Sequence, residues 1–282
     1  WWGVADMKIE RLEQSDNGKR LNTELLTLKD VVIARGKKRL LEPLSLSFHT
    51  AEFTAIAGEN GCGKSTLLSM LSGVETPFNG ELTLGGQAIS SLSAIHLALQ
   101  RAVMAQSAST PFGFIADELL HLARYQHIEL LEQKSPLINL VAKQFDITHL
   151  LARNIQTLSG GERQRIFLAK AVLQILPSDQ NESLEGKLLL LDEPTSALDL
   201  RHQKLVMQQL VALREKGLCI VCVSHVLNLI SPYCDRLILL GEKRCLADGP
   251  PARVLTTDML SRCYHTQLNL IKNEQKQVFV TH

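Results

Sequence analysis

Hydrophobic positions follow two spacings along this 282-residue chain. Short apolar runs bounded by glycine or charge predict buried strands, and apolar residues repeating every three to four positions predict helices. Residues 26–106 read mainly as strands, namely LTLKDVVIA, LSLSF, EFTAIA, ELTLGG and RAVMAQ, with a basic turn RGKKR after the first and a helix KSTLLSMLSG after the third. The chain therefore opens with a β-rich unit.

The spacing becomes helical from about residue 107 to 163. Beyond this stretch, strands and helices alternate in the order KLLLLD, LDLRHQKLVMQQLVALREKG, LCIVCVSH, VLNLISPYC and DRLILL. Alternation of this kind predicts an α/β fold with a largely parallel sheet and helices on its faces. The helical stretch is then an insertion into that sheet domain.

The two ends differ from the body of the chain. Residues 1–25 are polar and irregular and do not begin with Met, so we expect a disordered or added extension with Met7 as a possible true start. Trp1 and Trp2 could instead form a docking handle. The main domain is expected over 26–255 and a C-terminal tail over 256–282.

Composition narrows the function classes. Thirty basic and 29 acidic residues give a net charge of +1, which offers no electrostatic footprint for nucleic acid. No apolar run is long enough to cross a bilayer, and no secretory signal is visible. Six dispersed cysteines do not resemble a disulfide framework. Cys219 and Cys222 form C-x-x-C, a metal or redox spacing, but lie within an apolar strand pattern that favours a core role.

GENGCGKST, residues 58–66, carries the clearest chemistry. Its pattern G-x-x-x-x-G-K-S runs from Gly58 to Ser65, between a predicted strand and a predicted helix, which is the context of a phosphate-binding loop. Glycines let backbone N–H groups converge on an anion, and the helix N-terminus adds partial positive charge. Lys64 is expected to reach the outer phosphates, and the Ser65 hydroxyl to ligate Mg²⁺. The residues expected to hold nucleotide are Gly58, Glu59, Asn60, Gly61, Cys62, Gly63, Lys64, Ser65 and Thr66; for Cys62, redox control of the loop is the alternative to a small filler side chain.

KLLLLDEP places two carboxylates at the end of an apolar strand. Asp192 is expected to hold Mg²⁺ directly or through water. Glu193 is expected to orient or deprotonate the attacking water. The alternative is a solvated strand end before a turn.

LSGGERQR, residues 158–165, predicts a second anion-binding helix end at Ser159, Gly160 and Gly161. A simple helix cap is the alternative. One nucleotide has one γ-phosphate, which the phosphate-binding loop of the same chain already holds. A second copy of the protein could bring this helix end to that phosphate.

The phosphate-binding loop, LSGGE and LLLLDEP, in this order, resemble the ATP-binding subunit of an ABC transporter, over about residues 26–240. The resemblance implies a P-loop NTPase (RecA-like) mixed sheet core with an antiparallel β subdomain and an α-helical subdomain inserted at about 107–163. It also implies roles for single residues: Gln106 as a Mg²⁺ and water contact, Asp199 as a residue reaching across a dimer, and His225 as a γ-phosphate contact. Many relatives stack adenine on an aromatic residue before the loop; here Arg35 takes that place, either stacking through its guanidinium or lying in solvent.

The resemblance further implies a homodimer enclosing ATP and Mg²⁺, bound to integral-membrane permease subunits at the cytoplasmic face of the inner membrane, with a periplasmic binding protein as an indirect partner. STPFGFIADELLHLARYQH and LADGPPARVLTTDMLSRCYH both resemble importers of iron chelates, haem and cobalamin. TSALDLRHQ and the polar insertion PSDQNESLEG look most like the haem-importer ATPases. Ferric-siderophore or cobalamin import is the runner-up. A non-transport ABC ATPase usually carries two ATPase units or a coiled coil, and a small-molecule kinase would leave LSGGE and His225 without a task.

Overall fold

The computed structural model describes residues 23–35, 38–75, 79–106, 113–129, 131–179, 181–272 and 278–281. The expectations for Trp1, Trp2 and Met7 fall outside these residues. Three β-sheets and nine α-helices are present in the described part of the chain.

A six-stranded sheet forms the centre of the molecule, in the spatial order β10-β9-β3-β8-β7-β6. Its strands are β3 (Phe53–Gly58), β6 (Arg101–Met104), β7 (Leu188–Asp192), β8 (Cys219–Val223), β9 (Arg236–Gly241) and β10 (Arg244–Gly249). All neighbours pair in parallel except β9 and β10. Because β3, β7 and β8 are buried along their whole length, they read as continuous apolar runs. The core role predicted for Cys219 and Cys222 is confirmed, since both thiols are free and buried in β8.

A four-stranded antiparallel sheet packs beside the central one, in the order β2-β1-β4-β5. It comprises β1 (Glu24–Arg35), β2 (Lys38–His49), β4 (Glu81–Leu84) and β5 (Gln87–Ala88). Its apolar face, with Leu28, Ile33 and Phe48, meets α1 (Lys64–Leu71) and one face of the central sheet in a single buried cluster. The basic turn predicted at RGKKR is shorter than expected, because β1 continues through Arg35 and β2 already begins at Lys38.

The remaining helices lie at the other face and edges of the central sheet. They are α2 (Ala94–Gln100), α3 (Ala116–Leu122), α4 (Leu131–Gln144), α5 (Gly160–Ile175), α6 (Leu200–Glu215), α7 (Leu227–Ile230), α8 (Pro251–Val254) and α9 (Thr257–Tyr264). Helices α3 and α4 lie between β6 and α5 in the chain, within the stretch where the sequence predicts an inserted helical subdomain. In the described residues no helix is long and apolar enough to span a bilayer.

Arg124, just after α3, connects that helix to the end of α5. The Arg124 guanidinium is fully buried and pairs with the buried Glu129 carboxylate. It also donates to the carbonyl oxygen of Leu173 at 2.6 Å, in the last turn of α5. Burial alone would raise the pKa of Glu129, but hydrogen bonds from Arg124 and Ser178 hold that pKa below its usual value. Helix α5 is thus tied to the inserted helices at its C-terminal end.

The segment expected only as a tail contains regular structure. It holds α9 and an antiparallel hairpin of β11 (Asn269–Lys272) and β12 (Val278–Thr281). The Asn228 side chain, on α7, donates to the carbonyl of Val280 at 3.0 Å and accepts from its N–H at 2.8 Å. The hairpin is therefore anchored beside α7, next to His225.

Candidate functional site

The loop between β3 and α1 has the form expected of a phosphate-binding loop. Gly61 and Gly63 adopt left-handed φ angles of 81° and 107°, which glycine tolerates best. A side chain at Gly58 would put its Cβ 2.3 Å from the carbonyl oxygen of Leu240 on the adjacent β9. The buried Lys64 ammonium donates to the carbonyls of Gly58 at 2.8 Å and Glu59 at 2.9 Å. These contacts hold the loop in a closed curve at the N-terminus of α1.

Asp192, the last residue of β7, has an unsatisfied carboxylate. Its side chain is buried, and its Oδ1 atom has no hydrogen-bond partner among the described residues. Burial raises the pKa of Asp192; a hydrogen bond with Ser65 and the charge of Lys64 offset this only in part. A buried carboxylate oxygen without a partner, next to a hydroxyl, is a donor set that a hard cation such as Mg²⁺ would satisfy. The residues present therefore fit the metal expected at Ser65 and Asp192.

Glu193 is held between the other two residues predicted to be catalytic. Its Oε2 accepts from Gln106 Nε2 at 3.0 Å, and its Oε1 lies 3.0 Å from His225 Nδ1. Gln106, Glu193 and His225 follow β6, β7 and β8, whose carboxyl ends share one edge of the parallel sheet. The structure therefore brings together three side chains that are distant in the sequence.

A cavity of about 450 Å³ joins these groups to the phosphate-binding loop. Its walls are Leu40, Asn60, Gly61, Gly63, Lys64, Ser65, Thr66, Gln106 and Glu193. An adjoining cavity shares Asn60, Gln106 and Glu193 with the first and is also lined by Gly58, Glu59, His225 and Tyr264. Glu193 and Gln106 thus line both cavities, between Lys64 and Ser65 of the phosphate-binding loop on one side and His225 on the other.

LSGGE forms a capped helix end, but not at this cavity. The Ser159 hydroxyl accepts from the N–H of Glu162, and the Glu162 carboxylate accepts from the N–H of Ser159 at 2.8 Å. Those bonds to Ser159 hold the pKa of Glu162 below its usual value. Ser159 and Gly160 are exposed and line neither cavity. Nucleotide binding by Ser159, Gly160 and Gly161 stays a prediction, and this helix end lines neither of the two cavities that the described residues of the phosphate-binding loop line.

Asp199 caps α6 and forms part of a chain of charges. Its carboxylate accepts from the N–H of His202 at 2.8 Å and lies 2.9 Å from His202 Nδ1. These contacts hold the pKa of Asp199 low. His202 Nε2 in turn lies 3.3 Å from Asp146, at the end of the inserted helices. The role across a dimer expected of Asp199 stays a prediction.

Two remaining expectations concern Cys62 and Arg35. Burial raises the pKa of the Cys62 thiol, even though Lys64 lies nearby. A raised pKa disfavours the reactive thiolate and so favours the small filler role. Arg35 ends β1, and its side chain lies outside the described part of the structure.

Two site residues were missed from the sequence. Gln164, one turn beyond Gly160 on α5, donates to the backbone carbonyl of Glu193 at 2.8 Å. Tyr264, from the segment expected as a tail, lines the cavity beside Glu193 and His225. The spacing of Gln164 from LSGGE could have indicated a shared helix face; nothing in the local sequence around Tyr264 indicates its position.

Residues 41–196 match the family model described as "ABC transporter". The chain belongs to the ABC transporter family. It is similar to the curated protein "Hemin import ATP-binding protein HmuV" of Idiomarina loihiensis, with 40% identity over 238 residues that cover 83% of this chain and 89% of that protein. The protein of the same name from Myxococcus xanthus is 36% identical over 251 residues, which cover 88% of this chain and 92% of it.

Solved structures give the same fold. "Structure of ATP binding subunit of ABC transporter" aligns with a TM-score of 0.71 and 22% identity, over 82% of this chain and 91% of that chain. CbiO1 from Clostridium perfringens, part of the ABC transporter complex cbiONQ, aligns with a TM-score of 0.67 and 23% identity, over 85% and 93%. The P-loop α/β fold expected from the ABC transporter resemblance is confirmed.

Proposed function

We propose that this chain is the ATP-binding and ATP-hydrolysing subunit that energises an ABC importer of haem (hemin). The observation that carries the ATPase assignment is the Glu193 carboxylate, held between Gln106 and His225 at 3.0 Å each, beside the phosphate-binding loop. A carboxylate held this way can orient the water that attacks the γ-phosphate and accept its proton. The cargo assignment rests on the curated relatives named for hemin import.

ATP would bind with its phosphates in the cavity next to α1. The backbone N–H groups of residues 60–66 and the helix N-terminus would hold the phosphate oxygens. Lys64, which now donates to two loop carbonyls, would turn its charge towards the outer phosphates. His225, half-exposed at the mouth of the adjoining cavity, would contact the γ-phosphate.

Mg²⁺ would be held by Ser65, Asp192 and Gln106. When bound, it neutralises charge on the phosphate oxygens during transfer. The unsatisfied Oδ1 of Asp192 supports this placement.

Two copies of the chain would enclose the nucleotides as a homodimer. This proposal is supported by the exposed Ser159 and Gly160, which lie away from the cavity of their own chain. In a head-to-tail dimer they would meet the γ-phosphate held by the partner copy. ATP would close the dimer and hydrolysis would open it, a switch driven by the γ-phosphate.

The dimer would act on a permease. We place it at the cytoplasmic face of the inner membrane, peripheral to permease subunits that receive haem from a periplasmic binding protein. No residue of this chain is assigned to the haem itself.

A transport assay tests the proposal. The chain is purified with the membrane protein that it captures and placed in proteoliposomes, and Mg²⁺-dependent ATP turnover is measured with binding protein loaded with haem, ferric siderophore or cobalamin. Stimulation by haem alone, lost in Glu193→Gln, is expected. Stimulation by a siderophore or cobalamin would overturn the haem assignment and keep the ATPase. A chain that hydrolyses ATP but captures no membrane protein would overturn the transport role and keep the ATPase.

A further inference from the structure

Gln164, on α5, is a polar side chain that connects the LSGGE helix to the backbone of Glu193. Its Nε2 donates to the Glu193 carbonyl at 2.8 Å and to Ser196 Oγ at 3.1 Å. Its Oε1 accepts from the N–H of Ala197 at 2.9 Å. The Nε2 atom thus has two acceptors and the Oε1 atom has one donor, so the orientation of the side-chain amide is fixed.

The backbone held by Gln164 is in an unfavourable conformation. Glu193 has a φ of 51°, in the left-handed region that a residue with a Cβ seldom occupies. Such a conformation persists only where surrounding contacts impose it. Here the Glu193 N–H donates to Val223 on β8 at 3.0 Å, and its carbonyl accepts from Ser196 Oγ at 3.2 Å as well as from Gln164. Among these partners of the Glu193 backbone, Gln164 is the one that belongs to α5.

Close packing makes this connection stiff. A Cβ at Gly161 would lie 2.8 Å from the carbonyl oxygen of Ala197, so the first turn of α5 rests directly on the loop after Glu193. Gln164 stands on the next turn and closes the contact. A shift of α5 would therefore be transmitted to the Glu193 backbone, and so to the direction of its carboxylate.

We propose that Gln164 is a positioning residue through which α5 sets the Glu193 carboxylate of its own chain. The inference rests on the proposed ATPase function. Since the first turn of the same helix would cap the nucleotide of the partner copy, one rigid helix would serve two ATP sites. Contact of Ser159 with the partner's nucleotide would then favour the working position of Glu193 in its own chain.

Steady-state kinetics of Gln164→Met give the first test, because methionine keeps the shape and removes all three hydrogen bonds. We expect kcat for ATP to fall about tenfold or more, with KM within about twofold, as for an interaction that orients a catalytic group. Gln164→Glu keeps an acceptor for Ala197 but places a carboxylate oxygen against the Glu193 carbonyl, so it should be at least as slow. An unchanged kcat in Gln164→Met, or wild-type turnover in Gln164→Glu, would overturn the proposal.

Gln174 offers a matched control on the same helix. It is also half-buried and donates to two backbone carbonyls, those of Ala98 at 3.1 Å and Arg101 at 3.0 Å, away from Glu193. Gln174→Met should leave kcat within about twofold of wild type. An equal loss in both variants would mean that Gln164 only stabilises α5, against the proposal.

A double-mutant cycle separates positioning from a general structural role. In the Glu193→Gln background the carboxylate is already gone, so adding Gln164→Met should change the residual single-turnover rate by less than about twofold. If Gln164→Met lowers the rate by the same factor in the Glu193→Gln background as in the wild type, Gln164 does not act through Glu193. A wild-type chain without Mg²⁺-dependent ATP turnover would count against the proposed ATPase, whereas full turnover in the Gln164 variants would count only against this inference.

Discussion

His225 Nδ1 lies 3.0 Å from Oε1 of Glu193 across the carboxyl ends of β8 and β7. The distance is that of a hydrogen bond between an imidazole and a carboxylate. The glutamate is largely buried, with 13% of its side chain exposed, while 49% of the histidine side chain is exposed. The pair therefore has one member buried in the cavity wall and one member exposed to solvent, on the side where the proposed γ-phosphate would bind.

His225→Ala should slow ATP turnover while leaving ATP binding in place. Losing one donor aimed at transferring charge costs about 10²–10³-fold in kcat. His265→Ala is the control, because His265 is also exposed nearby, 3.7 Å from Glu59. Phosphate release measures kcat, and equilibrium binding of a fluorescent ATP analogue measures affinity. Equal turnover in the two variants would remove His225 from the mechanism.

Lys64→Ala should lose nucleotide affinity. A charge-assisted hydrogen bond contributes about 1.5–3 kcal/mol, which is roughly 10- to 150-fold in Kd. Lys204→Ala, at an exposed position of α6, should bind as the wild type does. Isothermal titration with ATP and Mg²⁺ gives both constants. Unchanged affinity in Lys64→Ala would contradict the assignment of the loop.

Asp192→Asn should stabilise the ligand-free protein. Burial raises the pKa of Asp192, so the folded chain holds this proton more tightly than the unfolded chain. The folded state then loses stability as the pH rises through that window, and at neutral pH the ionised carboxylate is destabilising until a cation joins it. We expect the melting temperature of the variant to exceed that of the wild type by about 2–4 °C for each kcal/mol gained in the free energy of unfolding.

The same variant should lose its response to Mg²⁺ and ATP. Thermal unfolding with and without the two ligands measures this, and the wild type should gain stability from them while Asp192→Asn gains little. Two results together would contradict the metal placement: Asp192→Asn melts at a lower temperature than the wild type without ligands, and Mg²⁺ and ATP raise the melting temperature of both proteins equally.

Glu129→Gln should weaken the fold without touching the nucleotide site. It leaves the fully buried Arg124 guanidinium without its counter-charge, and breaking such a pair costs about 3–5 kcal/mol. Glu42→Gln is the control, because both side chains of the Arg39–Glu42 pair are exposed. Such a pair should contribute under about 1 kcal/mol to the free energy of unfolding. Urea unfolding measures the free energy of unfolding of both variants. An equal decrease in the two would contradict the prediction that the buried Arg124–Glu129 pair contributes more to stability than the exposed pair.

The nucleotide cavity could be predicted from the sequence because its residues follow strands of one parallel sheet. Gly58, Asp192 and His225 each follow a short apolar run, and the carboxyl ends of parallel strands meet at one edge. Gln164 could not be predicted in the same way. A glutamine on an amphipathic helix looks the same whether it faces solvent or a neighbouring loop, and only the packing of α5 on the loop decides between them.

The C-terminal segment was missed for a related reason. Tyr264 reaches the cavity because α9 packs beside β9 and β10, a tertiary contact that the local sequence pattern does not reveal. The length of the β1–β2 hairpin was also misjudged, because Lys38 and Arg39 are strand residues whose charge gave them the appearance of a turn.

Glu193→Gln tests the central claim most directly, that each ATP is bound between two copies of the chain. Removing the proposed general base should slow hydrolysis by roughly 10²–10⁴-fold without removing ATP binding, so the closed dimer should accumulate. Light scattering after size exclusion, with ATP present, should then report twice the 31.3 kDa mass of the chain. Ser159→Arg in the same background should return that mass to the monomer's. A Glu193→Gln protein that binds ATP and remains monomeric, or a dimer indifferent to Ser159→Arg, would contradict the account.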